Sequence, residues 1–127
     1  MQIKSKIISL SSIELKDLDQ IHSITSDYKQ IGHLFSTKIR SKDYWLKKYN
    51  ENGLWDKDYG MLKINDSEDS ELIGVIWYFK SMPYVEGFEI GFNIFNSSKR
   101  EKGFATESLN IFSSYLFNAY NINRLQC

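Results

Sequence analysis

The chain has 127 residues, and its 16 Lys and Arg residues balance 16 Asp and Glu residues to a formal net charge of zero. That length fits one domain over residues 1–127, a hydrophobic fraction of 42% excludes wholesale disorder, and a neutral balance without a dense basic block removes the electrostatic footprint of a nucleic-acid binder. The longest apolar run, residues 72–79, is too short to span a bilayer, the N-terminus has no signal-peptide layout, and the single cysteine, Cys127, supports neither an internal disulfide nor a zinc cluster, so a cytoplasmic location is expected.

Residues 3–10, with Ile3, Ile7, Ile8 and Leu10, read as a first strand. Ser11 followed three residues later by Glu14 is a capping-box pattern, and it predicts a helix with Leu15, Leu18, Ile21 and Ile24 on one side. After a loop over residues 28–40, Ser41 caps a second predicted helix whose Trp45, Leu46 and Tyr49 share a face, with Asn52-Gly53 as its left-handed stop. The period then changes. Residues 59–64, 72–79 and 87–95 are three strand candidates separated by turn chemistry at 65–70 and 82–84, which predicts an antiparallel meander. From Gly103 the helical period returns with Ala105, Leu109, Phe112 and Leu116, residues 121–123 read as the turn after it, and residues 124–127 begin a further element. No internal repeat or linker composition divides the chain.

In the third strand of the meander, Phe88, Ile90, Phe92 and Ile94 alternate with Glu89, Gly91 and Asn93. One face is therefore apolar while the other offers a carboxylate, a bare backbone and an amide. The loop that follows contains Arg100-x-x-Gly103-x-Ala105 and opens directly into the next helix. The first amides of a helix lack intrahelical acceptors and stand at the positive end of its dipole, so such a turn can cradle a phosphate. Gly103 lets the backbone approach the ligand, and Arg100 and Lys102 add charge-assisted bonds, on the order of 1.5–3 kcal/mol each when well placed.

The segment Glu89-Ile-Gly-Phe-Asn-Ile-Phe95, the loop Arg100-Glu-Lys-Gly-Phe-Ala105 and the helix start at Thr106-Glu107 together resemble the acetyl-CoA motif of the GNAT N-acetyltransferase superfamily, in particular its ribosomal-protein N-terminal acetyltransferase branch. The resemblance implies an α/β fold with a mixed, mostly antiparallel central sheet flanked by helices. It also implies direct transfer of an acetyl group from acetyl-CoA, the cosubstrate, to a primary amine such as a protein N-terminus, a polyamine or another small amine. Carried over by position, the backbone from Glu101 through Lys102, Gly103, Phe104 and Ala105 to Thr106 binds the pyrophosphate, with Arg100 and Lys102 beside it. The backbone of Asn93, Ile94 and Phe95 pairs with the pantetheine arm where the strand parts from a neighbour, and an N–H there polarises the thioester carbonyl. Glu89 is the candidate general base, acting through water.

Family members continue past the position of Leu125 with further strands and a helix, so the resemblance implies a C-terminally incomplete domain. It leaves open a non-catalytic acyl-CoA-binding or interaction module, and a pair of copies that complete each other's sheet. Elsewhere the residues read as structural. His22 and His33 have no ligands at metal spacing, and residues 65–71 lack the central glycine of a calcium loop. Glu107 suits the helix dipole, and Trp45, Tyr49 and Trp55 are candidates for packing or for the rim of an acceptor groove.

Overall fold

The computed structural model describes residues 2–25, 42–55, 59–82, 85–95, 103–119 and 124–126. Its strands are β1 (Gln2–Lys4), β2 (Ile8–Ser12), β3 (Tyr59–Asp66), β4 (Leu72–Met82), β5 (Val85–Ile94) and β6 (Arg124–Gln126), and its helices are α1 (Leu18–Thr25), α2 (Lys42–Asn52) and α3 (Phe104–Ala119). Among the described residues the six strands form one sheet in chain order, antiparallel from β1 to β5 and parallel between β5 and β6. This is the mixed, mostly antiparallel sheet flanked by helices that the sequence predicts.

Two sequence expectations are corrected at the start of the chain. The single strand over residues 3–10 is a hairpin, because the Ser5 hydroxyl accepts the N–H groups of Ile7 and Ile8 and folds β1 back on β2, pairing Ile3 with Leu10. Ser11 does not cap a helix but continues β2 opposite Lys63. The cap is formed by Glu14, whose N–H donates to Asp17 Oδ2 at 2.9 Å as the chain enters a single 3-10 turn, Leu15–Asp17, ahead of α1. Leu18 and Ile21 are buried as expected, whereas Leu15, in that turn, is 56% exposed.

The sheet is covered on both faces. Against one lies α3, whose Phe104, Ser108, Phe112 and Leu116 follow each other at every fourth position and are buried with Ile8, Leu10, Leu62, Ile64, Ile76, Tyr78, Phe88 and Ile90. Ser108 is tolerated there because its hydroxyl donates to the Phe104 carbonyl at 2.7 Å. The opposite face packs Met61 and Val75 against Ile13, Leu18 and Ile21 from the α1 region and Trp45 and Leu54 from the α2 region. Within that layer Lys63 Nζ, on β3, donates to Asp17 Oδ2 at 2.9 Å, and both side chains are buried. Asp17 thus ties the entry of α1 to the middle of the sheet.

Helix α2 ends as predicted, with Gly53 at φ +66° donating to the Tyr49 carbonyl. Its inward residue is Trp45, while Leu46, predicted on the same face, stands at the surface. The capping role of Ser41, the loop over residues 28–40 and the turn over residues 121–123 lie outside the described residues. Strands β3 and β4 run further than predicted, to Asp66 and Met82, and the turn between them is held by Asp66 Oδ1, which accepts the Glu68 N–H.

Candidate active site

The alternation of β5 sorts its side chains as the sequence predicts. Phe88, Ile90, Phe92 and Ile94 face α3, and the other parity, Glu89, Gly91 and Asn93, faces the α1 and α2 layer. The face that carries Glu89 also bears the second core, and Glu89 is half-buried opposite Phe79. Asn93 lies opposite Val75 with only 6% of its surface exposed, and its Nδ2 has no hydrogen-bond partner among the described residues. A buried amide in that state costs about 1–3 kcal/mol.

Gly91 sits between these two polar residues because an indole occupies the space a side chain would need. Its cross-strand partner is Trp77, and a Cβ built at residue 91 would lie 2.3 Å from Trp77 Cζ2 and 2.7 Å from its Nε1. The half-buried Trp77 ring therefore floors the strip between the Glu89 carboxylate and the Asn93 carboxamide, which are four residues or about 13 Å apart along the strand. Sequence reasoning missed Trp77. Its signal was a glycine in mid-strand, which marks the close approach of another group.

The two edges of β5 differ. Toward β4 the ladder is continuous to its end, where the Phe95 N–H donates to the Ile73 carbonyl at 2.7 Å. By alternation the backbone groups of Phe92 and Ile94 point to the opposite edge. On that edge β6 pairs with Gly87, Phe88 and Glu89. The β4 side of the later part of β5 is therefore occupied, and the backbone groups of Phe92 and Ile94 face away from it.

Helix α3 begins beside the end of this strand. Gly103 precedes it at φ +78°, a left-handed conformation that L side chains rarely adopt, and a Cβ there would meet nothing within 4 Å. The first intrahelical bond runs from Glu107 N–H to the Gly103 carbonyl at 3.0 Å, so the amides of Ala105 and Thr106 precede it at the positive end of a 16-residue helix. Phe104 is buried and Ala105 half-buried against the α3 core, while Thr106 is exposed. Arg100, Glu101 and Lys102 lie outside the described residues.

The aromatic candidates for an acceptor groove are placed differently. Trp45 is buried in the second core, and Trp55 joins the α3 core with its ring 5.0 Å from that of Tyr78. Tyr49 is half-buried on α2.

The acetyltransferase (GNAT) domain family matches residues 8–127. The chain belongs to the GNAT acetyltransferase family. No curated protein sequence matches it. Its fold is similar to that of a GNAT-family acetyltransferase from Bacillus anthracis, with a TM-score of 0.75 and 22% identity over 98% of this chain and 71% of that one. It is similar also to spermidine N-acetyltransferase from Vibrio cholerae in complex with CoA and spermine, with a TM-score of 0.76 and 22% identity over 93% of this chain and 68% of that one. An acetyltransferase from Agrobacterium tumefaciens superposes at a TM-score of 0.72 with 18% identity, covering 98% and 71% of the two chains. No helix among the described residues is long and apolar enough to cross a membrane.

Proposed function

We propose that this GNAT domain binds acetyl-CoA along the edge of β5 that faces away from β4 and at the N-terminus of α3, and transfers the acetyl group directly to a primary amine. The observation that carries the reading is the start of α3, where Gly103 holds a left-handed backbone and the amides of Ala105 and Thr106 precede the first intrahelical bond. The residues present fit the cosubstrate. Gly103 leaves open space where a side chain would stand, and the first amides of α3 point along the helix dipole. Residues 100–106 would hold the pyrophosphate, with Arg100 and Lys102 supplying positive charge. Of residues 93–95, which the resemblance assigns to the pantetheine arm, only Ile94 presents its backbone groups to that edge and would pair with the arm, because those of Asn93 and Phe95 face β4.

In the reaction a water-linked Glu89 carboxylate takes the proton from the acceptor ammonium. The amine nitrogen attacks the thioester carbonyl carbon; the C–N bond forms and the carbonyl electron pair moves onto oxygen, where a backbone N–H on that edge stabilises it. Return of that pair breaks the C–S bond, coenzyme A leaves as thiolate and takes up a proton, and the acetylated amine loses its remaining extra proton to solvent. The only cysteine of the chain, Cys127, has no place in this scheme, which runs without an acyl-enzyme.

Acceptors of this chemistry include a protein N-terminus, which the resemblance of residues 89–107 to the ribosomal-protein branch favours, and a polyamine, which the spermidine acetyltransferase neighbour favours. The test is a coenzyme-A-release assay with mass spectrometry of the products, run over a panel of N-terminal peptides, polyamines and simple alkylamines. Acetylation of one class with stoichiometric release of coenzyme A is expected. Binding of acetyl-CoA without acetylation of any amine would overturn the transferase assignment for this chain.

A further inference from the structure

We infer that the side-chain carboxamide of Asn93 donates a hydrogen bond to the acyl oxygen of bound acetyl-CoA. The inference rests on the coenzyme A reading above and adds to it a donor from a side chain.

The free protein gives this amide little reason to be where it is. Asn93 is 6% exposed, its Nδ2 is buried with no partner among the described residues, and the side chains next to it in register are apolar. Val75, fully buried, stands opposite; Gly91 under the Trp77 ring and Phe95 flank it along the strand. A leucine of similar size would suit this layer better, since an unsatisfied buried donor weakens the fold and an apolar side chain does not. The other buried orphan, Trp45 Nε1, lies on α2 and not on β5.

The position of Asn93 selects the partner. It lies between Phe92 and Ile94, whose backbone groups point away from β4, so its carboxamide stands at the height where a ligand arm along that edge passes. An N–H donor needs an oxygen. The acceptor amine arrives as an ammonium that offers only donors, whereas the thioester offers a carbonyl oxygen that gains charge as nitrogen attacks. A carboxamide N–H beside a backbone N–H makes a two-donor site for that oxygen, and the donor contributes most when the electron pair resides there, before C–S cleavage.

The test compares the wild-type chain with Asn93→Leu and Asn93→Asp by calorimetry against acetyl-CoA and against CoA, which lacks the acyl group, together with infrared spectra of bound acetyl-CoA labelled with carbon-13 at the carbonyl. The expected result is that Asn93→Leu melts at or above the wild-type temperature and binds CoA within about 2-fold of wild type. It should bind acetyl-CoA about 5-fold more weakly, the size of one hydrogen bond. The labelled carbonyl band, shifted to lower frequency in the wild-type complex, should move back toward its position in water. Asn93→Asp, which is isosteric but replaces the amide N–H donors with carboxylate oxygen, should show the same loss of acetyl-CoA preference, and it carries the comparison should the leucine variant fail to fold. An unchanged band and unchanged acetyl-CoA affinity, or equal weakening of both ligands, would overturn the inference while leaving the coenzyme A reading intact. Failure of the folded wild-type chain to bind either ligand would overturn that reading, and this inference with it.

Discussion

Replacing Gly91 with alanine tests whether the Trp77 ring floors the polar strip of β5. The added Cβ would lie 2.3 Å, 2.4 Å and 2.7 Å from Cζ2, Cε2 and Nε1 of Trp77, more than 1 Å inside ordinary van der Waals contact at the closest point. The clash is with a ring rather than the tip of a flexible chain, so the indole must leave the strand or the strand must bend. Overpacking of this kind costs about 1–3 kcal/mol, and the loss of glycine's freedom in the unfolded chain returns roughly 0.5 kcal/mol. The net loss of about 1–2 kcal/mol corresponds to a fall in melting temperature of roughly 3–10 °C for a chain of this size. Trp77→Ala removes the obstacle, so Gly91→Ala introduced into that variant should cost nothing further. The difference between the two backgrounds is a coupling energy of about 1–2 kcal/mol. The assay is thermal and urea unfolding of the four proteins in the cycle, with the Trp77 contribution read from fluorescence. Equal effects of Gly91→Ala with and without the indole would refute the placement of Trp77 over the strand.

Gly103→Asp should destabilise the free protein by about 1–2 kcal/mol through its left-handed backbone, because nothing stands near the new side chain, yet weaken acetyl-CoA binding more than 10-fold; unchanged affinity in the folded variant would remove the pyrophosphate from this turn. Glu89→Gln should lower kcat about 100-fold or more with acetyl-CoA affinity preserved, whereas wild-type turnover would exclude the carboxylate as base. Lys63→Met should cost about 3 kcal/mol in urea unfolding by stranding the buried Asp17 carboxylate, and adding Asp17→Asn should recover part of that loss; a cost below about 1 kcal/mol would mean that the pair contributes as weakly as a surface ion pair.

The parts of this fold written in local sequence were readable. The period-2 alternation of residues 88–94 predicts both faces of β5, the Asn52-Gly53 stop predicts the end of α2, and Gly103 marks the backbone that opens α3. What the sequence hid depends on contacts between distant residues. The pairing of Lys63 with Asp17 spans 46 positions, and nothing in either neighbourhood announces it. Strand alternation alone does not say whether helices cover the face of β5 that bears Glu89, which α1 and α2 do. The Ser11 cap failed because two capping patterns overlap, and the register of β2 with β3 keeps Ser11 and Ser12 in the sheet, passing the role to Glu14 and Asp17. In the candidate site Trp77 and the buried carboxamide of Asn93 become visible only when the β4–β5 register is known.

The most direct test of the account is a calorimetric titration of the purified 127-residue chain with acetyl-CoA, repeated with desulfo-coenzyme A, which keeps the pyrophosphate and pantetheine but cannot carry the acetyl thioester. The account predicts saturable binding of both at one site per chain, with acetyl-CoA the tighter, and loss of both in Gly103→Asp. Absence of binding by a chain shown to be folded would contradict the assignment of the β5 edge and the α3 N-terminus to coenzyme A.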